Sequence, residues 1–262
     1  MARNQILTKE NEMKKSILVV HGDKGGIGKS TYAGLAIDYL TKRANDGSVI
    51  VIEGDKKIDD VARRYQGVEG VSGMLVDLAR PDFSEEAILA LFEEIERAGG
   101  IHVVINLPAS ASSTIDAQAE IVMATVRNLG YEIYVAWLIG RDEDSAKLAG
   151  ESALCRTADK KIAVLNEKDG NPEKFPWHQS EARKEWLESG GMEGILPCLT
   201  ERVAIKVRAL PGRYSDLERS PELYIVERSS VFRWVRKAWE GVIAPLYESE
   251  LKAIASIFEG GE

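Results

Sequence analysis

The sequence predicts an α/β protein, a single doubly wound domain with a mainly parallel sheet flanked by helices. Three observations predict it. Short apolar runs alternate with longer stretches of helical periodicity along the chain, as in folds with helices on both faces of a sheet. The apolar runs are near-continuous rather than alternating, as strands buried on both faces should be. The first run, SILVVHG at 16–22, passes through a glycine-rich turn directly into a helical stretch. A length of 262 residues suits one such domain with decorations, and 44% hydrophobic with 29% charged residues excludes neither a core nor a solvated surface.

Taken in order, the predicted strands are 16–21, 48–53, 102–107, 132–139, 161–166 and 194–199. The predicted helices are 29–44, 82–98, 114–129, 144–157 and 179–189, with further helices from about residue 201. The first helix carries Ala33, Leu35, Ala36, Ile37 and Leu40 at helical spacing. Asp82 and Glu85 stand at capping-box spacing ahead of Ile88, Leu91, Phe92 and Ile95, and Gly99-Gly100 stops that helix. The stretch DGNPEKFPWH at 169–178 reads as a loop, and residues 1–14 as a mobile extension preceding the domain at 15–262. Ligands of such sheets sit at the carboxyl ends of the strands.

The turn after the first strand is Lys24-Gly25-Gly26-Ile27-Gly28-Lys29-Ser30, followed by Thr31. In a phosphate-binding loop, G-x-x-x-x-G-K-[ST], backbone N–H groups wrap the phosphates, the lysine reaches the outer ones, and the hydroxyl ligates Mg²⁺. Here Asp23 occupies the first glycine position, so the strict pattern fails by one residue. The helix that starts at Gly28 and Lys29 turns its unpaired N–H groups toward any bound phosphate. Beyond the second strand comes Glu53-Gly54-Asp55, beyond the third Asn106-Leu107-Pro108, and at the end of the fifth Asn166-Glu167-Lys168-Asp169.

K-G-G-x-G-K-[ST] at 24–30 resembles the deviant Walker A ATPases, the ParA/MinD group of the SIMIBI class of P-loop proteins. The resemblance extends by order and spacing from Ser16 to about Lys237. It implies ATP and Mg²⁺ as cofactors, phosphate binding by Gly25, Gly26, Ile27, Gly28, Lys29, Ser30 and Thr31, and catalytic work by Lys24, Lys29 and Asp55. Asp55 matches the second aspartate of the family's D-x-D, which positions the attacking water. Ser30 would ligate the metal directly, with Glu53 and Asn106 reaching it through water. Asn106 replaces a family aspartate, which implies either a slow ATPase or a nucleotide binder without turnover. Asn166 would read the adenine edge, with Pro197 in the next base-contacting loop. The N-x-x-D spelling also resembles the guanine-reading motif of GTPases, leaving GTP as the other base. Lys24 implies a homodimer in the ATP-bound state, its ammonium reaching the partner's phosphates.

What is missing sorts the branches of the family. Cys155 and Cys198 have neither C-x-x-C spacing nor a cluster setting, which excludes iron–sulfur and arsenite branches; buried thiols are the expectation for both. The segment 251–262 carries Leu251, Ile254, Ile257 and Phe258 but only Lys252 as a cation, a poor match to anionic lipid, so packing against the domain is expected rather than membrane binding. No apolar stretch approaches the roughly 18 residues a spanning helix needs, and a cytoplasmic protein is expected. Net charge is -8, yet between Arg202 and Lys237 nine basic residues face four acidic ones. Arg233, Arg236 and Lys237 are candidates for nonspecific DNA contact, with a solvated helix face as the alternative. The turn after the second strand, the N-L-P-A-S after the third and the aromatics Phe175, Trp177 and Trp186 resemble the TraL or StbB type ATPases of mobile plasmids. That resemblance implies a switch in plasmid partition or conjugal transfer with a protein partner encoded on the same replicon. The alternative is a metabolic or metal-loading P-loop ATPase with a small-molecule substrate.

Overall fold

The computed structural model describes residues 14–43, 48–55, 59–78 and 84–247. Seven strands, β1 (Ser16–His21), β2 (Val49–Glu53), β3 (Val71–Leu75), β4 (His102–Asn106), β5 (Glu132–Ile139), β6 (Lys160–Asn166) and β7 (Met192–Leu196), form one sheet in the order β3-β2-β4-β1-β5-β6-β7. Every pairing is parallel. The chain leaves β1 toward one edge and resumes at β5 on the other side, so the carboxyl end of β1 is the switch point where such sheets open a crevice.

Alternation along the strands divides the core in two. Leu18, Val20, Val51, Val104, Ala136 and Val164 face one layer, and Ile17, Val19, Ile52, Val103, Ile105 and Ala163 the other. The first layer is α1 (Lys29–Arg43), α2 (Asp60–Arg64), α9 (Glu201–Ala209) and α10 (Ile225–Ala238). The second is α3 (Ser84–Ala98), α4 (Ser112–Ala117), α5 (Ala119–Asn128), α6 (Glu143–Glu151), α7 (Ala153–Thr157) and α8 (Glu181–Glu188). Both faces are covered, which is why the central strands are apolar without alternation.

The strands at 16–21 and 132–139 fall where expected, and those at 48–53, 102–107 and 161–166 shift by one residue at one end. The last strand lies earlier than 194–199, because Pro197 has no N–H to donate to a ladder and ends β7 at Leu196. The expected helix 114–129 starts earlier and is broken at Gln118, and 144–157 at Ser152. Ser152 accepts from Cys155 N–H at 3.3 Å and donates to Asp116 Oδ1 at 2.9 Å, so it caps a new helix rather than continuing the old one. Two elements escaped the periodicity. The five-residue α2 is too short to show one, and β3 is a partly exposed edge strand containing Gly73. Asp82, offered as a cap for the third helix, lies outside the described residues, as do 1–13 and the amphipathic segment from Leu251. Lys14 is not part of a free extension, since its ammonium pairs with Glu132 at 2.7 Å.

A buried polar knot ties α1 to its neighbours. Asp38 accepts from Tyr65 O–H at 2.6 Å and from Ser215 N–H at 2.9 Å, and burial pushes its carboxyl up to about 6. Phe175, Trp177 and Trp186 are core residues, with Trp177 edge-on to Trp186 at 5.8 Å. Cys155 is a buried thiol pushed up to about 12 by desolvation, but Cys198 is exposed, because it sits in the loop after β7 rather than on the strand.

Candidate functional site

The loop at 22–28 leaves β1 at the switch point and is held by side chains from strands that are distant in sequence. Lys29, at the start of α1, is buried and turns its ammonium back into the loop, donating to Gly22 O at 3.1 Å and Lys24 O at 2.6 Å. Desolvation lowers it to about 8. Asn166, at the end of β6, donates to Ile27 O at 2.7 Å while its Oδ1 accepts from Lys168 N–H at 3.0 Å. Lys168 itself reaches Gly26 O at 3.2 Å. Gly28 has φ of +108°, and a Cβ there would lie 2.3 Å from Asn166 Nδ2, so only glycine permits this approach. Ile27 is buried in the core, Gly25 and Gly26 are exposed, and the Thr31 hydroxyl engages Tyr214 rather than facing the loop.

On the other side of the loop, the register pairs Glu53 with Asn106 and Asn106 with Val20, placing the ends of β2 and β4 next to β1. Asn106 Nδ2 donates to Glu53 Oε1 at 2.8 Å and approaches Ser30 Oγ at 3.3 Å. Burial pushes Glu53 up to about 7, against the Asn106 hydrogen bond, with Asp60, Asp59 and Asp55 adding to the rise. Gly54 lets the two strand ends close, since a Cβ there would sit 2.8 Å from Pro108 Cδ. Asp55 follows, half-buried, on the loop leaving β2.

Ser30, Glu53 and Asn106 thus converge, and Asn106 Oδ1 is buried without a hydrogen-bond partner. A hydroxyl, a carboxylate and an amide oxygen form the hard donor set that Mg²⁺ accepts, and the orphaned oxygen marks where a bound water or ion would be satisfied. No group of three or more His, Cys, Asp or Glu side chains stands ready to cage a metal among the described residues. The residues fit an ion held by few protein oxygens and completed by phosphate and water, the usual arrangement for Mg²⁺.

Lys24 is exposed at the mouth, its ammonium 2.5 Å from Asp142 Oδ1 in the loop after β5, and that carboxylate holds it above the usual lysine range. Asp142 and Asp169 both flank Gly140, lying 3.3 and 3.8 Å from where its Cβ would be. Asp169 was read from the sequence only as the last residue of the N-x-x-D spelling, and Asp142 was not singled out, although G-R-D-E-D after β5 was a visible signal. Pro197 lies beyond β7, its carbonyl accepting from Trp234 Nε1 at 2.7 Å, and Cys198 N–H donates to Glu167 at 3.1 Å, so the loops after β6 and β7 are joined. At the start of β1's exit, His21 stacks on Trp137 at 4.3 Å and is lowered to about 3 by burial.

Arg233, Arg236 and Lys237 are not part of this site; they lie on the exposed side of α10, with Val231, Trp234 and Val235 buried behind them. The basic excess of the C-terminal region is smaller than its count. Arg202 and Lys206 pair with Glu227, Arg208 with Glu201, Arg219 with Glu218 and Arg236 with Glu240. Arg233 and Lys237 have no carboxylate partner among the described residues.

A parallel sheet whose first strand runs through a glycine-rich turn into a helix opening on Lys29 and Ser30 defines an α/β protein of the P-loop class. The chain is 30% identical over 236 residues to Protein MobD of Acidithiobacillus ferrooxidans, covering 88% of this chain and 99% of that one, and it belongs to the same family as that protein. No protein-family model matches it. Among solved structures it is similar to the MinD cell division protein of Aquifex aeolicus, at 15% identity and a TM-score of 0.46, covering 86% of this chain and 97% of that one. It is also similar to the septum site-determining protein MinD of Pyrococcus horikoshii OT3, complexed with Mg-ADP, at 13% identity and a TM-score of 0.45, covering 84% and 94%. The sheet order and the loop by themselves define the fold. No helix among the described residues is long and apolar enough to cross a membrane.

Proposed function

We propose that this protein is a deviant Walker A ATPase, a slow nucleotide switch that binds Mg-ATP on the loop at 24–31 and dimerises in the ATP-bound state. The observation that carries the reading is the convergence of Ser30, Glu53 and Asn106 beside Lys29, with Asn106 Oδ1 left unpaired. Lys29 would exchange its two carbonyl partners for phosphate oxygens, and the N–H groups opening α1 would wrap the phosphates. Bound Mg²⁺ would supply charge neutralisation between phosphate oxygens, with Ser30 as its protein ligand and Glu53 and Asn106 orienting its waters. Asp55 would position the attacking water. A neutral Asn106 and a Glu53 held near its protonation midpoint leave less negative charge for the metal than two carboxylates would, which favours slow turnover. Asn166, with both polar ends engaged, would act on the base only by releasing one of them.

Lys24 is the candidate for reaching a partner's phosphates, and its exposure supports that role. Arg233 and Lys237, with Arg236 drawn from Glu240, would contact DNA phosphates nonspecifically. The reading places the switch in conjugal transfer or partition, alongside a protein partner encoded on the same replicon. The test is light scattering and phosphate release with ATP, with a non-hydrolysable analogue and with neither. A dimer formed only with nucleotide, and lost in Lys24→Ala, is expected. Unchanged dimerisation in that variant would overturn the cross-dimer role of the lysine, and no nucleotide binding by the intact chain would overturn the whole reading.

A further inference from the structure

A groove of about 680 Å³ opens between the start of α9 and the first half of α10. The pattern of α10 makes it. The helix buries Glu227, Val231, Trp234, Val235 and Ala238, so Val226, Ser229, Ser230 and Arg233, at i, i+3, i+4 and i+7, share a neighbouring face. The two serines are too small to fill the space between Val226 and Arg233, and Thr200, Arg202 and Val203 close it from the α9 side.

The walls are fixed before anything binds. Buried Glu227 accepts from Lys206 Nζ at 2.9 and 2.8 Å with Arg202 3.6 Å away, which ties α9 to the first turn of α10. The Lys206 ammonium also lies 4.6 Å over the Tyr224 ring and holds that ring at the rim. Yet the apolar groups here face water: Tyr224 is 65% exposed, Ile225 77% and Val226 74%, with Ile205 of α9 at 56%. Consecutive exposed apolar residues rimmed by polar ones mark an interaction site.

Charge and shape select the occupant. Glu227 is the one carboxylate among the lining residues and is already shared by Lys206 and Arg202, whereas Arg202 and Arg233 bring cations to the rim. Such a rim stands out in a chain of net charge -8. A second copy docked through the same patch would set like charges against each other. A nucleic-acid backbone would satisfy the arginines and leave four exposed apolar side chains unused, and a flat lipid surface cannot fill a concavity. A cleft between two helices, apolar inside and cationic at its rim, suits a third helix that is apolar on one face and acidic beside it. We propose that the α9/α10 groove docks an acidic amphipathic helix of a protein partner, anchored on Tyr224 and Val226, with Arg202 and Arg233 pairing its carboxylates. The inference is independent of the nucleotide reading. Arg233 is shared with the DNA surface proposed above, so the variants that test the groove leave it in place.

The test is selection of displayed random peptides, long enough for about four helical turns, on the full chain, followed by fluorescence anisotropy of the enriched sequences. Those sequences should be acidic with apolar residues spaced by three and four. They should bind the wild-type chain at least tenfold more tightly than Val226→Asp, which puts a carboxylate inside the groove, and Ser229→Trp, which fills it without altering its charge. Both positions are exposed, and thermal melts confirm a folded domain. Binding unchanged in either variant would overturn the proposal, as would no enrichment or enrichment of neutral or basic peptides. So would a failure to select peptides from a chain that binds phosphatidylglycerol vesicles or a DNA duplex and loses that binding in Val226→Asp, which would mean a lipid or nucleic-acid surface. A dimer of the chain alone that dissociates in Val226→Asp would equally overturn it, and would mean docking of a second copy.

Discussion

The two sides of the loop after β1 are built on opposite principles. Toward β6, four loop carbonyls are met by side chains: Ile27 O by Asn166, Gly26 O by Lys168, and Gly22 O and Lys24 O by Lys29. Toward β2 and β4, Asn106 is shared between Ser30 and Glu53, one buried oxygen is unpaired, and a carboxyl is held near neutrality. The first side is a backbone cradle braced by side chains, although Asp23 Oδ1 in the loop is buried without a hydrogen-bond partner, and on the second the orphaned oxygen sits among the candidate metal-binding residues. A ligand would complete the hydrogen bonding of Asn106 on the β2/β4 side, and would displace the existing bonds of Lys29 and Asn166 on the other.

The sharpest way to break the cradle is Gly28→Ala. Its Cβ would meet Asn166 Nδ2 at 2.3 Å with a backbone at φ of +108°, and a loss of about 2–4 kcal/mol in a denaturant melt is expected. A melt within 0.5 kcal/mol of wild type, a margin of the size of about one neutral surface substitution, would show that the loop has room to move.

On the β2/β4 side, Asn106→Asp removes the amide donor and sets a second carboxylate against Glu53. Stability without metal should fall by about 1–3 kcal/mol and recover when Mg²⁺ and nucleotide are added, with faster phosphate release. Equal loss with and without Mg²⁺ would separate Asn106 from any metal role.

Lys29 links the two sides through its proton. Its ammonium is lowered to about 8 by burial, and neighbouring phosphate would raise it again, so binding takes up protons and affinity falls as pH rises through about 8. Calorimetry of ATP binding in buffers of different ionisation enthalpy should show uptake of about half a proton at pH 8 and almost none at pH 6.5. No pH dependence of uptake would mean that the lysine stays charged in the empty loop.

The smallest effect belongs to the mouth. Asp142→Asn removes the partner of an exposed Lys24, so the melting temperature should stay unchanged, while any nucleotide-dependent dimer should form at lower protein concentration because the lysine is no longer held within its own chain. A drop in melting temperature would make the pair structural instead.

The phosphate loop was legible because its determinants are local: an apolar strand, glycines and a helix opening on Lys29 act within fifteen residues of one another. Glu53, Asn106 and Asn166 were legible as strand-end residues, but not what each would touch. Asn166 was expected to face a base and instead spends both polar ends on its own turn and on a loop 139 residues away. Thr31 was counted with the loop, although the first turn of α1 rotates its hydroxyl toward Tyr214. The basic stretch at 202–237 was read as an excess of charge, and ion pairs with Glu201, Glu227 and Glu240 removed much of it.

By itself the sequence determined the α/β class, the parallel order of strand and helix, and the chemistry of the first turn, because hydrophobic period and glycine freedom act over a few neighbouring residues. Only the tertiary structure decided that Lys24 meets Asp142, that Asn106 bridges Ser30 and Glu53, and that Trp239 and Phe232 wall an apolar groove beside the end of α1. Those pairings depend on which strands are neighbours in the sheet and on how helices from opposite ends of the chain pack. No local pattern carries that information, since contacts across 53 or more residues are selected by burial of the whole core rather than by any one segment.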